Sequence, residues 1–157
     1  MFVIREDDLS NRQTRELLAL HLSGMHENSP PDAVFALDLT GLLAPEVTVW
    51  SAWRTVGYGQ VEIASIGALK MLRDGSAEVK SMRTHPDYLR QGAAAAILDK
   101  IIEVARGRGV TRLSLETGRG AAFEPALAMY RRRGFADGGP FSDYEPNAFS
   151  QFLHMEL

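Results

Sequence analysis

The sequence predicts an α/β (α+β) domain built on a sheet with antiparallel and parallel parts and covered by helices. Three observations predict it. Runs with strand character and runs with helical apolar spacing follow one another in the order β-α-α-β-β-β-α-β-α-β-β, a mixture that neither a helical bundle nor a sandwich displays. The 157 residues are 45% hydrophobic and 24% charged, enough apolar material for one core, so the chain reads as a single domain over residues 1–157. Cysteine is absent, which removes a disulfide framework, a cysteine zinc site, an iron–sulfur cluster and a cysteine nucleophile.

Each element has its own signal. Phe2–Arg5 is a short first strand. Asp7 or Ser10 caps a helix over about Asn11–Met25, with Leu17, Leu18, Leu20 and Leu22 on its apolar side. Ser29-Pro30-Pro31 breaks the chain, and a shorter helix over Pro31–Leu39 carries Pro31 in its first turn. After Pro45, the β-branched and aromatic run Val47–Trp53 is a strand, and Thr55–Gly59 is a turn. Gln60–Leu72 is a second strand, long enough to predict a bulge or kink. Asp74-Gly75 is a hairpin turn, and Ala77–Thr84 is the third strand of this group, ended by Pro86. The clearest helix spans about Gln91–Gly107, where Ala94, Leu98, Ile101 and Ala105 share an apolar face. Val110–Thr117 is a strand. Phe123–Arg133 is a helix with Pro125 near its start, arginines suited to the dipole in its last turn, and Gly134 beyond it. Phe135–Pro140 and Ser150–Leu157 are the last two strands.

Charge and hydropathy narrow the partners. The net charge is −3 and no basic stripe appears, so nucleic acid is not expected as a partner. No apolar run approaches the roughly 18 residues of a membrane span. The segment Met1–Asp8 is acidic and lacks a signal core, so a cytoplasmic protein is expected, without a membrane partner. Four histidines without metal-ligand spacing predict no metal site.

The segment that carries chemistry is Met82-Arg83-Thr84-His85-Pro86-Asp87-Tyr88-Leu89-Arg90-Gln91-Gly92-Ala93-Ala94-Ala95. A strand ends, a loop follows, and a helix opens on glycine and alanine. A helix N-terminus offers free N–H groups and the positive end of its dipole. The small residues let an anion reach that backbone, and Arg90 and Gln91 can add side-chain contacts, which together describe a diphosphate site. Close helix–sheet packing alone would also favour small residues there. A phosphate-loop nucleotide enzyme is set aside, because the Gly-Lys-Ser/Thr ending of such loops is missing.

This segment resembles the acetyl-CoA-binding motif of the GNAT (Gcn5-related) N-acetyltransferase superfamily, a strand ending in hydrophobic-x-Val-x-Pro followed by Arg/Gln-x-x-Gly-x-Gly/Ala and a helix. Met82 to Pro86 matches the first half, with Thr84 in the valine place; Leu89 to Ala94 matches the second, with Leu89 in the usual Arg/Gln position and Ala94 within the pattern. Downstream, Ala126 to Phe135 resembles the superfamily's Ala-x-x-x-Tyr-x-(Lys/Arg)-x-Gly-Phe segment. The order of elements agrees over essentially the whole chain. Gly139–Tyr144 and the stretch from Ser29 to Leu39 resemble a small group of largely uncharacterised bacterial members, some labelled indole-acetate acetyltransferases. The resemblance implies a mostly antiparallel twisted sheet of about seven strands flanked by about four helices, with the fourth and fifth strands splayed around the cofactor. It implies acetyl-CoA as co-substrate, and homodimers are common among its members.

On this sequence the resemblance assigns the cofactor to Met82, Arg83, Thr84, Leu89, Arg90, Gln91, Gly92, Ala93, Ala94, Ala95 and Tyr130. Backbone groups of Met82 and Thr84 would bond the pantetheine, and the Met82 N–H would polarise the thioester carbonyl. Tyr130 is the candidate general acid, since a phenol with a pKa near 10 suits donation to a departing thiolate. Glu78 is the candidate general base, at the position of the base in histone-acetylating members, taking the proton directly or through water; a sheet-surface carboxylate paired with Lys80 or an arginine is the plain structural alternative. His85 and His26 are weaker alternatives as bases. Trp50, Trp53, His21, His26, Phe35, Tyr144 and Phe149 are candidates to line an aromatic acceptor site, although each is individually expected in the core. Arg83 or Arg119 could meet an acidic acceptor group, or equally sit on the surface. With no cysteine, a thiol-linked acetyl-enzyme is excluded, so direct attack in a ternary complex with a small-molecule or protein amine is expected. The competing hypothesis is a non-catalytic acyl-CoA-binding sensor.

Overall fold

A computed structural model describes residues Met1–Leu157. Seven strands form one sheet in the order β1-β2-β3-β4-β5-β7-β6. They are β1 Val3–Glu6, β2 Val47–Val56, β3 Gln60–Met71, β4 Ala77–Thr84, β5 Arg112–Thr117, β6 Ala136–Gly138 and β7 Gln151–Glu156. Four α-helices accompany them: α1 Arg12–Asn28, α2 Leu39–Leu42, α3 Ala93–Gly107 and α4 Glu124–Arg132. All strand pairs are antiparallel except β4 and β5.

Each face of the sheet buries its own core. On one face α3 and α4 bring Ile97, Leu98, Ile101 and Leu127 onto Ala64, Leu69, Val79 and Leu115. On the other, α1 and α2 bring Leu17, Leu18 and Leu42 onto Val49, Trp53, Ile63 and Ile66. A buried polar knot fixes α1 to this second face. Asp7 Oδ2 accepts hydrogen bonds from Thr14 Oγ1 at 2.9 Å and Ser51 Oγ at 2.6 Å, and Trp53 Nε1 donates to Ser51 Oγ at 2.7 Å. Asp7 is therefore not the cap of α1. Asn11 is, accepting from the Gln13 N–H at 2.8 Å, while Ser10 bonds to Asp8.

The expected helix over Pro31–Leu39 does not form. Only Pro31–Ala33 makes a single 3₁₀ turn, and the chain is extended at Val34 before Asp38 caps the short α2 through the Gly41 N–H at 2.8 Å. Tertiary contacts override the local signal: the Phe35 carbonyl accepts from Lys80 Nζ at 3.2 Å, and the Phe35 ring meets Tyr144 edge-on. α3 opens at Ala93, not Gln91, because Arg90 (φ 61°) and Gly92 (φ 91°) are left-handed. The last two strands are shorter than expected, β6 spanning only Ala136–Gly138.

Two irregularities shape the centre of the sheet. β3 carries the bulge that its length predicts, at Ala64, where the register against β2 shifts between Ala52–Ser65 and Trp53–Ile63. β4 carries a second, in which Ile66 pairs with Arg83 and Ala68 with Lys80, so Ser81 and Met82 together oppose Gly67. Ser81 is left-handed there (φ 57°). Gly67 is required at this point, because a Cβ would run into Met82 Sδ and Ile97 Cγ2. Replacing Gly67 by alanine should cost about 1–3 kcal/mol through overpacking, read as a lower midpoint in urea unfolding with an unchanged slope.

Candidate active site

The parallel ladder between β4 and β5 contains only two residue pairs, Ala77–Leu113 and Glu78–Ser114. Beyond Glu78 the strands diverge, and a cleft of about 760 Å³ opens between them. Thirty residues line it, including Glu78, Met82, Arg83, Thr84, Leu89, Arg90, Gly92–Ala95 and Tyr130. The sequence-expected residues therefore gather in one place, with Gln91 as the exception. Its side chain is turned away, accepting from Arg54 at 2.7 Å and donating to the Asp87 carbonyl at 3.2 Å.

One end of the cleft is the uncapped N-terminus of α3. Gly92 starts α3 without a capping side chain, and the first hydrogen bond of the helix is Ala96 N–H to Gly92 O at 3.0 Å. The amides of Ala93, Ala94 and Ala95 thus precede the ladder and have no partner in it. The φ of 91° at Gly92 is open to glycine and strained for other residues. Leu89 and Arg90 both line the cleft, but Leu89, 57% exposed, offers no polar side-chain contact, whereas Arg90 brings a guanidinium. The residues fit a diphosphate by the chemistry of free amides, a helix N-terminus and an adjacent arginine.

Tyr130 sits on α4 against Phe135, their ring centroids 5.8 Å apart. Burial pushes its hydroxyl pKa well above the ordinary phenol value, so it stays protonated at neutral pH and keeps a proton to donate.

The α1-facing side of the cleft is polar. Glu78, at the apex where β4 and β5 part, is only 3% exposed. Its Oε2 accepts from Tyr144 Oη at 2.5 Å and Lys80 Nζ at 3.2 Å, and Lys80 also donates to Tyr144 Oη at 2.8 Å. Burial, and then the neighbouring Glu78 charge, raise the Tyr144 pKa, keeping that phenol a donor. Glu116 on β5 also lines the cleft. Burial raises its pKa above the usual carboxylate value, Glu78 adds to the rise, and a 2.7 Å bond from Ser150 Oγ opposes it. Ser81 Oγ is buried among the lining residues without a hydrogen-bond partner.

Arg83 crosses from β4 to α1. Its Nε donates to His21 Nδ1 at 3.1 Å and its Nη2 to the His21 carbonyl at 3.4 Å. Gly24 makes room for it, since a Cβ there would lie 2.9 Å from Nη2. Burial, then the charges of Arg83 and Lys80, lower the His21 pKa to about 3, so the imidazole is neutral and Nδ1 is an acceptor.

The other aromatic and basic candidates separate. Phe35 and His21 line the cleft, and Tyr144 reaches it through Glu78. Trp50 and Trp53 lie in the two cores, and Phe149 packs on Phe123 with ring centroids 5.5 Å apart, so these three do not form an acceptor pocket. His26 and Arg119 are exposed outside the cleft. His85 caps the turn Pro86–Tyr88 by accepting from the Asp87 N–H at 3.1 Å. Sequence reasoning missed Lys80 and Glu116 as site residues. Only their alternation with Glu78 and Ser114 on strands pointed to the same face.

The sequence profile of the acetyltransferase (GNAT) family matches residues 12–135. The chain belongs to the GNAT acetyltransferase family. It is 47% identical to the uncharacterized N-acetyltransferase YedL of Escherichia coli K12 over 157 residues, covering 100% of this chain and 96% of that one. It is 46% identical to the uncharacterized N-acetyltransferase YsnE of Bacillus subtilis 168 over 154 residues, covering 98% and 99%. Among solved structures, a Klebsiella pneumoniae protein named for acyl-CoA N-acyltransferase activity superposes with a TM-score of 0.80 at 25% identity, covering 100% of this chain and 98% of that one. A Bacillus subtilis acetyltransferase solved with CoA superposes at 0.69 with 17% identity, over 100% and 99%. Membership makes the chain an acyltransferase of a family that uses acetyl-CoA, and the seven-stranded fold agrees with these neighbours. No helix is long and apolar enough to cross a membrane.

The buried imidazole gives a pH signature. An unfolded chain takes up a proton at His21 below about pH 6.5, while the folded chain refuses it until about pH 3. The folded pKa lies below the unfolded one, so the stability that neutral His21 confers is full above about pH 6.5. It is lost progressively as the pH falls toward 3. Urea midpoints of the wild type should decline through this window, and His21→Gln should flatten that part of the decline.

Proposed function

We propose that the protein is an acetyl-CoA-dependent N-acetyltransferase in which an amine attacks the bound acetyl group directly, in a ternary complex. The observation that carries this reading is the placement of three unpaired α3 amides and a protonated, buried Tyr130 around the same β4/β5 opening. The CoA complex of a structural neighbour supports the donor assignment. Bound acetyl-CoA supplies the activated thioester, and the protein supplies position and charge stabilisation.

Ala93, Ala94 and Ala95, with Arg90, hold the diphosphate end. The freed edge of β4 aligns the pantetheine, and the Met82 N–H at the bulge stabilises negative charge developing on the carbonyl oxygen. The amine nitrogen forms a bond to the carbonyl carbon, the carbon–sulfur bond breaks, Tyr130 gives its proton to the sulfur, and the surplus proton of the new amide nitrogen passes through solvent to restore Tyr130. The amine must first lose a proton. Glu78 and Glu116 are the carboxylates in reach of the cleft. Glu78 is occupied by Tyr144 and Lys80, whereas Glu116 accepts one side-chain bond and is made more basic by burial. Glu116 is therefore the better proton acceptor, and Glu78 holds the Lys80 and Tyr144 groups in place.

Thiol release from acetyl-CoA across an amine panel tests the reading. Tyr130→Phe should lower kcat by about 10²–10⁴-fold while CoA binding by calorimetry persists. Glu116→Gln should lower kcat at neutral pH and remove the acidic limb of the profile, which Glu78→Gln should retain. CoA binding without thiol release from any amine would make the protein a sensor and refute the enzyme mechanism.

A further inference from the structure

The acceptor side of the cleft contains a cation without a counter-ion. Arg83 is half-buried among the lining residues, yet its recorded partners are the neutral His21 ring and the His21 carbonyl, and no carboxylate forms an ion pair with it. Burial alone perturbs it; no acidic neighbour offsets that cost. Lys80, the other cation on this face, is already matched by Glu78 at 3.2 Å. The charges along the cleft are thus divided. Carboxylates stand at its apex and on β5, with Glu78 satisfied and Glu116 free of ion pairs, and an uncompensated guanidinium stands beyond the bulge. A planar fork of donors held against Gly24 suits a carboxylate in two-point contact.

We infer that the acetyl acceptor is an amino acid or similar small amine bearing a carboxylate, which Arg83 anchors while its nitrogen lies toward Glu116. This rests on the acetyltransferase reading and adds the substrate class. Arg83 directly follows Met82, whose N–H faces the reacting carbonyl in that reading, so an acid anchored by Arg83 lies within a small molecule's length of the acetyl group. Ser81, buried without a partner beside Met82, adds a hydroxyl for the acceptor's remaining polar groups. Arg119, exposed outside the cleft, takes no part.

The test is a set of matched acceptors, in which each amino acid is compared with its carboxamide and its decarboxylated amine by thiol release and by mass of the product. The acids should be favoured at least tenfold in kcat/KM. Arg83→Gln should reduce kcat/KM for the acids by about 10- to 100-fold and bring the ratio of acid to carboxamide close to one, and Arg83→Lys should restore part of it. Calorimetric CoA binding and a thermal melt of each variant separate these effects from loss of fold. Carboxamides or decarboxylated amines used as well as the acids by the wild type would overturn the inference and leave the acetyltransferase reading standing. Thiol release from no amine would overturn both.

Discussion

The rest of the structure depends on the early end of the β4/β5 ladder. Parallel strands ordinarily stay paired and bury both faces, but here the pairing stops after Glu78–Ser114. That leaves an edge of β4 without a strand partner inside the protein, a situation folded proteins normally avoid. Three local features hold the opening in place. The bulge at Ser81–Met82 turns β4 away from β5, and Gly67 lets Met82 seat against α3. Left-handed backbone at Arg90 and Gly92 aims the first turn of α3 into the gap. α4 closes the other arm with Tyr130.

The second theme is electrostatic. Burial, joined by neighbouring charge at all but Tyr130, sets the protonation of His21, Tyr130, Tyr144 and Glu116. His21 is neutral because burial and two cations disfavour its proton. Tyr130 and Tyr144 keep theirs because burial disfavours the phenolate. Glu78 is matched by Lys80, whereas Glu116 has no ion pair and its proton affinity rises with burial. A protonated phenol and a carboxylate of raised proton affinity thus line one cleft, the pair of groups that the proposed acyl transfer to an amine would use. Pairing, not depth, separates the two carboxylates, since Glu78 is the more buried and Glu116 has no ion pair.

Much of this was legible in the chain. The small-residue run Gly92–Ala95 announced the start of α3, and Tyr130 before Gly134-Phe135 placed a phenol at the end of α4. Both signals are local, because helix starts and stops are written in consecutive residues. The Pro31–Leu39 segment misled for the opposite reason: its path is decided by Lys80 and Tyr144, 45 and more residues away. The Glu78–Lys80–Tyr144 cluster joins β4 to the loop before β7, and Glu116 enters the site only because β5 diverges from β4. Trp50 and Trp53 look the same in sequence whether they line a pocket or fill a core, and the faces of β2 decide for the core.

The central claim is that the unpaired edge of β4 and the first turn of α3 form one donor-binding surface. The most direct measurement is a titration of the isotope-labelled protein with CoA, followed through backbone amide chemical shifts. The account predicts that the largest changes fall at Met82, Thr84, Ala93, Ala94 and Ala95, and fade on the exposed side of α1 and on β1. Saturable CoA binding that leaves those five amides unmoved, with the changes concentrated elsewhere, would contradict it.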